Sequence, residues 1–118
     1  MASVSLKLLV LKTPQVERLR AFYQALGIEL AEERHGSGPV HHAGNVGEAV
    51  LEVYPLSDDG GTADTTTRLG FTVGNLAQVV QALREVGTRI ANEPKQTAWG
   101  LQAVVRDPDG RAVELYQG

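Results

Sequence analysis

The chain has 118 residues, of which 42% are hydrophobic, and its 11 basic and 14 acidic side chains give a net charge of −3. This length predicts one domain with a core large enough to fold alone, and the apolar content excludes a disordered chain. Basic side chains form neither a patch nor a run, which argues against nucleic acid and membrane partners. Because the chain has no cysteine, disulfides, thiolate catalysis and cysteine-based zinc sites are excluded.

The first predicted strand is the apolar run at residues 6–11. It is too short to span a membrane and lacks a following small-residue cleavage site, so we expect a soluble cytoplasmic protein. Its nearly continuous apolar character predicts burial on both faces. Thr13 and Pro14 come next, and they predict a helix with Thr13 as N-cap and Pro14 at the first helical position.

The first helix carries apolar residues at helical spacing and is closed by Gly27. This apolar stripe comprises Val16, Leu19, Phe22, Tyr23 and Leu26. Three further strands are predicted at residues 28–33, 40–43 and 49–54, and residues 57–64 resemble a linker.

The pattern then restarts. A strand at residues 69–73 precedes a helix with Asn75 as N-cap and Gly87 at its end. The apolar stripe of this helix comprises Leu76, Val79, Val80, Leu83 and Val86. Residues 88–91 begin a strand, 92–98 are predicted as a polar loop, and 99–105 as the next strand. The turn sequence Asp107-Pro108-Asp109-Gly110 then joins this strand to the last one as a hairpin.

The two halves repeat at a spacing near sixty residues. Gly27 and Gly87 are 60 positions apart (87 − 27), and Glu52 and Glu114 are 62 apart (114 − 52). Each half reads βαβββ, so we predict an α+β fold in which two modules form one curved mixed sheet with the helices outside. The predicted single domain has module one at about 4–56, a linker at about 57–65 and module two at about 66–118.

Two glutamates interrupt the apolar strands that end the modules. Glu52 and Glu114 each lie between two apolar residues that should face the helices, so strand alternation turns both glutamates to the opposite face. Tyr54 and Tyr116 lie two positions later and share that face. The alternative is that both glutamates are surface carboxylates on a solvated sheet.

Several short motifs together resemble the vicinal oxygen chelate superfamily, which includes glyoxalase I, extradiol dioxygenases and bleomycin-resistance proteins. The motifs are Phe22-Tyr23 with Leu26-Gly27, Trp99-Gly100, and Asp107-Pro108-Asp109-Gly110 with Val113-Glu114-Leu115. The resemblance covers essentially the whole chain. It implies a U-shaped sheet around a cavity, with modules that pair within one chain or across a homodimer.

The resemblance also locates the metal ligands of the metal-dependent members, at positions that match Leu8, Glu52, Arg68 and Glu114 here. Leu8 and Arg68 each lie 19 positions before the glycine that closes the following helix (27 − 8 and 87 − 68). Leucine cannot bind a metal and arginine repels one, whereas a catalytic site normally uses three or more protein ligands. We therefore predict no metal and no cofactor.

Arg68 is predicted to take the place of the cation and to bridge one or both glutamates, with Leu8 as an apolar wall. The alternative is an exposed arginine at the start of a strand.

His41 and His42 are neighbours on one strand, so at most one of them faces the cavity. We assign His42 to the site, as a hydrogen-bond partner or as a general base. The alternatives are one surface histidine with one satisfied by hydrogen bonding, or a metal site of one histidine with Glu52 and Glu114.

The predicted function is metal-independent binding or sequestration of a small amphipathic molecule by a homodimer of the glyoxalase/bleomycin-resistance type. The candidate ligand-binding residues are Leu8, His42, Glu52, Tyr54, Arg68, Trp99, Gln102, Glu114 and Tyr116, and no catalytic residue is assigned. Core or dimer-interface packing is the alternative role of the aromatic residues. The alternative functions are a metal-dependent lyase or dioxygenase with non-standard ligands, a metal-free isomerase with a glutamate as base, and a purely structural dimeric module.

Overall fold

The computed structural model describes residues 3–56 and 61–118. The chain divides into two compact units, Met1–Gln24 with Ile28–Ala63 and Ala25–Gly27 with Asp64–Gly118. Residues 57–60 of the predicted linker lie outside the described residues. Neither helix in the described part of the chain is long and apolar enough to cross a membrane.

Both halves of the chain have the same order of elements and the same strand pairing. The first half contains β1 (Leu8–Thr13), α1 (Val16–Leu26), β2 (Ala31–Glu33), β3 (His41–Val46) and β4 (Ala49–Pro55). The second contains β5 (Leu69–Val73), α2 (Leu76–Glu85), β6 (Arg89–Thr97), β7 (Gly100–Arg106) and β8 (Ala112–Gln117). The sheets have the orders β1-β4-β3-β2 and β5-β8-β7-β6, in which only the β1–β4 and β5–β8 pairs are parallel. The predicted α+β fold with two βαβββ modules is confirmed, although the described residues form two four-stranded sheets instead of the one sheet predicted.

Both helices end as their glycines predict. Gly87 has φ 81°, and the N–H of Thr88 donates to the carbonyl of Leu83 at 3.0 Å, which closes α2 in a Schellman motif. Gly27 has φ 123° after α1. At the start of α2, the side chain of Asn75 accepts a hydrogen bond from the third helical residue, so Asn75 is the predicted N-cap.

The start of the first module differs from the prediction. Leu8 and Val10 are exposed whereas Leu11 and Thr13 are buried, so the prediction that this strand is buried on both faces was wrong. Among the described strands β1 pairs only with β4, and an edge strand is readily buried on one face alone. This pairing extends to Thr13, so α1 begins at Val16, two residues later than predicted.

The third strand of the second module is longer than predicted. β6 runs for nine residues and includes most of the predicted loop 92–98, which was therefore wrongly assigned. Its pairing with β7 shifts register twice, and most of its side chains are exposed. Polar composition is ordinary in an edge strand of this kind, so it did not indicate a loop. Trp99 lies in the turn before β7 rather than in the strand.

The predicted β7–β8 hairpin is present, and its turn is fixed by a buried ion pair. The Asp107 carboxylate accepts hydrogen bonds from the backbone N–H of Asp109 at 2.9 Å and of Arg111 at 3.0 Å. Arg111 Nη1 lies 3.1 Å from a carboxylate oxygen of each aspartate. Arg111 is only 1% exposed, so the charge of this guanidinium is compensated by both carboxylates. The sequence predicted the turn but not this role of Arg111.

Strand alternation in β8 positions the candidate site. Val113 and Leu115 are fully buried, whereas Glu114 and Tyr116 are half-buried. Helix α2 packs on β6, β7 and β8 and buries Leu76, Val80 and Leu83 of its apolar stripe, whereas Val86 at the end of the stripe is exposed. The two buried residues of β8 therefore belong to the core, and the intervening residues project from the other face of the sheet.

The closure of α2 gives a stability prediction. Gly87→Ala should destabilise the protein by about 1–2 kcal/mol, because the new Cβ must adopt positive φ. Gly74→Ala is the matched control: φ is not positive there, a Cβ would meet no atom within 4 Å, and the change should be neutral or slightly stabilising. Urea unfolding followed by circular dichroism measures both, and equal losses in the two variants would contradict this role of Gly87.

Candidate ligand-binding site

An arginine and a glutamate meet at the parallel pair of strands in the second unit. Glu114 pairs in register with Gly70 of β5, and Arg68 directly precedes that strand. Arg68 Nε and Nη2 lie 3.0 and 2.5 Å from the same oxygen of Glu114, Oε2. The guanidinium thus reaches Glu114 as the charge-replacement hypothesis requires, although both donors converge on one oxygen instead of forming a two-oxygen fork.

The second oxygen of Glu114 is also occupied. The hydroxyl of Tyr116 donates to Oε1 at 2.7 Å. The hydrogen bonds from Tyr116 and then from Arg68 hold the pKa of Glu114 below its usual range. The same hydrogen bond, together with burial and the carboxylate charge, raises the pKa of Tyr116. At neutral pH the site therefore carries an ionised carboxylate and a protonated phenol.

Glu114 and Tyr116 of this network line a pocket of about 490 Å³ together with Trp99 and Gln102. Gln102 lies on β7 directly opposite Tyr116 in the sheet, so their side chains share a face. Trp99 is 82% exposed, in the turn that joins β6 to β7. The site thus combines two aromatic surfaces with an amide and a charged pair.

The position of Trp99 is fixed by a threonine rather than by burial. Thr97 Oγ1 accepts a hydrogen bond from the backbone N–H of Trp99 at 3.1 Å and donates to the carbonyl of Gly100 at 2.7 Å. Gly100 has φ 99°, which a residue with a side chain rarely adopts. The backbone of the turn is therefore defined, while the indole remains accessible to a ligand.

In the first unit, the strand equivalent to β8 is β4, and the polar groups around it differ from those around β8. The rings of His41 and Tyr54 stack with centroids 4.1 Å apart and an interplanar angle of 9°. His41 Nε2 lies 3.8 Å from Glu52 Oε2, and His41 Nδ1 lies 3.2 Å from the carbonyl oxygen of Pro39. Glu52 and Tyr54 thus lie on one face, as predicted from alternation, and His41 joins them there.

His42 was assigned to the wrong face. It pairs with Val53 in the β3–β4 register, and Val53 is completely buried. Its Nε2 lies 4.0 Å from a carboxylate oxygen of Glu17. Since adjacent strand residues point to opposite faces, the residue beside Glu52 is His41.

The repeat contained the signal for this assignment. Glu52 corresponds to Glu114, and the sheet registers place His42 opposite Val53 and Ala103 opposite Leu115. His41 therefore occupies the position equivalent to Gln102, which was itself a candidate. The offset of 61 positions (102 − 41) agrees with the 60 and 62 found elsewhere in the repeat.

Two residues near His41 were not recognised from the sequence. Glu33 Oε1 lies 3.4 Å from Nε2 of His35 and 3.4 Å from Nε2 of His41. Glu33 ends β2 and His35 follows two positions later, so the alternation of that strand was the available signal. No pattern in the sequence indicated that β3 would bring His41 close to these two residues.

The positions of the expected metal ligands do not fit a divalent cation. In the first unit Leu8 is 51% exposed and offers only hydrocarbon. In the second unit the guanidinium of Arg68 already lies against Glu114. Two of the four positions therefore have no donor for a metal, and one of these carries a positive charge.

The hydrogen bonds of Glu114 predict how its pKa responds to mutation. Tyr116→Phe and Arg68→Gln should both raise the pKa of Glu114, and Tyr116→Phe should raise it more because that hydrogen bond is the largest cause of the lowering. A lowered pKa contributes stability above the ordinary carboxyl pKa, and this contribution is lost as the pH falls through the folded-state value. The destabilisation by Tyr116→Phe should therefore be full at neutral pH and should shrink in acid.

Carboxyl carbon NMR titration measures the pKa of Glu114 in each variant. Urea unfolding at several pH values measures how the destabilisation by Tyr116→Phe depends on pH. Arg18→Gln, at an exposed arginine of α1, is the control and should leave the titration of Glu114 unchanged. An unaltered Glu114 pKa in Tyr116→Phe would show that the hydroxyl does not hold the carboxylate in solution.

Comparison with solved structures places the chain among small proteins of one fold. TnmS3, an antibiotic binding protein from Streptomyces sp. CB03234, superposes with TM-score 0.75 at 22% identity, over 99% of this chain and 98% of that one. A glyoxalase/bleomycin resistance protein from the same strain gives TM-score 0.72 at 22% identity over 96% and 100%. Hypothetical protein SA1046 from S. aureus superposes with TM-score 0.74 at 17% identity, over 98% of this chain and 97% of that one. These identities support the fold alone.

The sequence itself supports membership of a family. No curated protein sequence matches the chain. A family model does match, over residues 5–115 and therefore over nearly the whole length. The chain belongs to the Glyoxalase/Bleomycin resistance protein/Dioxygenase superfamily.

Proposed function

We propose that the protein binds and sequesters a small amphipathic organic molecule without using a metal. The observation that carries this proposal is the network of Arg68, Glu114 and Tyr116 beside the pocket. A guanidinium contacts the carboxylate that would otherwise be free to bind a cation, and a phenol occupies its second oxygen. A site stabilised in this way can recognise a ligand through its own side chains.

The same network argues against Glu114 as a catalytic base. Both of its oxygens already accept hydrogen bonds, and its pKa is lowered, so it is a weaker base than an ordinary glutamate. General-base catalysis near neutral pH uses groups whose pKa is raised toward the working pH. This supports binding over proton abstraction in the second unit.

The lining of the pocket indicates the chemistry of the ligand. The indole of Trp99 and the ring of Tyr116 offer faces for a planar apolar group, while Gln102 offers an amide donor and acceptor. Mostly apolar walls with a few polar groups are typical of small-molecule sites. TnmS3, described as an antibiotic binding protein, shares the fold, which supports an antibiotic-like ligand.

The proposal includes the organisation and location of the molecule. We expect the two modules to form one cytoplasmic domain, as the length and composition of the chain predict, and two chains to pair as a homodimer, as the family resemblance implies. Light scattering coupled to gel filtration gives the mass, and a monomer at all concentrations would remove this part of the proposal.

Fluorescence titration tests the binding function. Trp99 is the only tryptophan of the chain, so its emission reports directly on the pocket. We expect metal-free bleomycin or another planar cationic antibiotic, in a panel that includes small oxo-compounds, to change this emission saturably. The affinity should be the same with and without EDTA, because the ligand is held by side chains.

Gln102→Ala should weaken that binding about two- to tenfold through loss of one hydrogen bond. Gln81→Ala replaces an exposed glutamine on α2 and should have no effect. If no compound changes the emission of Trp99, small-molecule binding is rejected. If binding disappears in EDTA, a metal-dependent enzyme is favoured instead.

A further inference from the structure

We propose that Glu33, His35 and His41 form a binding site for a zinc-like divalent cation in the first unit. The three side chains offer ligand atoms that all lie within 4.8 Å of one another. They come from the end of β2, the loop after it and the first residue of β3. This cluster shares no residue with the pocket of the second unit, and the inference does not rest on the proposed function.

The spacing of the donor atoms matches a shared ion better than hydrogen bonding. Glu33 Oε1 is 3.4 Å from Nε2 of both His35 and His41. Good N–H···O hydrogen bonds are shorter, at about 2.7–3.2 Å. Two ligands bound at about 2.0–2.2 Å in tetrahedral geometry are themselves separated by about 3.4 Å. Two of the three donor–donor distances therefore match those around one small cation, and all three donors lie within 4.8 Å of one another.

The buried member of the cluster is oriented in advance. His41 is only 1% exposed, and its Nδ1 lies 3.2 Å from the carbonyl oxygen of Pro39. An N–H at Nδ1 that donates to this carbonyl leaves the lone pair on Nε2, which is the usual arrangement of a metal-binding histidine. The hydroxyl of Tyr54, 3.3 Å from Nε2, belongs to a ring stacked on the imidazole and so approaches its face rather than its in-plane lone pair.

The backbone next to His35, the exposed member of the cluster, is also defined. The N–H of Gly38 donates to the carbonyl of His35 at 3.0 Å, which closes a turn directly after the histidine. Gly36 in this turn has φ 58°, a conformation that suits glycine. A short and defined turn therefore carries the chain from His35 to Pro39, so both histidines belong to one local structure.

The charges around His41 also favour a cation. Glu33 and Glu52 both point toward its Nε2, at 3.4 and 3.8 Å. Within residues 3–56 and 61–118, the ion pairs of these two glutamates involve histidines alone. A divalent cation would neutralise both carboxylates, and Glu52 is the further carboxylate beside His41 that could occupy its fourth position.

The donor set selects the kind of metal. Two imidazoles with one carboxylate suit zinc and its neighbours nickel and cobalt. Calcium and magnesium prefer sites made entirely of oxygen ligands. A bound zinc ion would join β2, the following turn and β3, and since it binds the folded chain, it should raise the thermal stability.

Calorimetric titration of the untagged full-length chain, stripped with EDTA and dialysed, tests the site with zinc chloride. We expect about one zinc per chain and a higher melting temperature. Glu33→Gln and His35→Asn should each weaken zinc binding at least about tenfold, because each removes a direct ligand. Both side chains are at least partly exposed, so these variants should fold.

Glu32→Gln is the matched control. It removes a neighbouring exposed carboxylate on β2 that points to the other face of the strand, and zinc affinity should not change. Cobalt should give the intense visible absorption of a tetrahedral site in the wild type and in Glu32→Gln alone. Absence of zinc binding, or equal affinity in Glu32→Gln, Glu33→Gln and His35→Asn, would overturn the assignment. Antibiotic titrations in EDTA remain a separate measurement, so either proposal can fail alone.

Discussion

Alternation along the last strand of each module is the constraint on which the candidate sites depend. In β8, Val113 and Leu115 are completely buried, so Glu114 must leave the core on the opposite face. The strand lies between β5 and β7, which fixes its register on both sides. A register shift of one residue would bury the carboxylate and expose the apolar pair, which would strongly destabilise the folded state.

The same scaffold gives its two modules different chemistry. In the second unit, Arg68 compensates the charge of Glu114, and the hydroxyl of Tyr116 donates a hydrogen bond to its other oxygen. The adjacent pocket has aromatic walls. In the first unit, His41 stands in the position of Gln102, and Glu33 and His35 approach it from the neighbouring strand and loop. One repeated framework therefore presents a charge-compensated carboxylate beside a pocket in one module and a cluster of histidine and glutamate side chains in the other.

The elements that sequence patterns predicted well are those with local causes. Gly87 ends α2 because only glycine readily adopts positive φ, and Asn75 caps it because its short side chain reaches the free N–H groups. The misjudged elements depend on partners far along the chain. β6 is a strand because β7 pairs with it. Thr13 belongs to β1 because the pairing of β1 with β4 continues as far as Thr13 and Pro55.

By itself, the sequence determined the two-module fold, the C-terminal ends of both helices, the β7–β8 turn and the face of Glu114, since each follows from local propensity or from a period of two. The family resemblance, supported by the equal spacing of Leu8 and Arg68 from their helix-closing glycines, also placed Arg68 near Glu114. Tertiary structure decided that Glu33 and His35 lie beside His41. The β3–β4 register established that His41 rather than His42 lies beside Glu52, in agreement with the spacing of the repeat. The physical reason is that cross-strand register, unlike alternation within a strand, is set by hydrogen bonds between segments that the linear pattern does not connect.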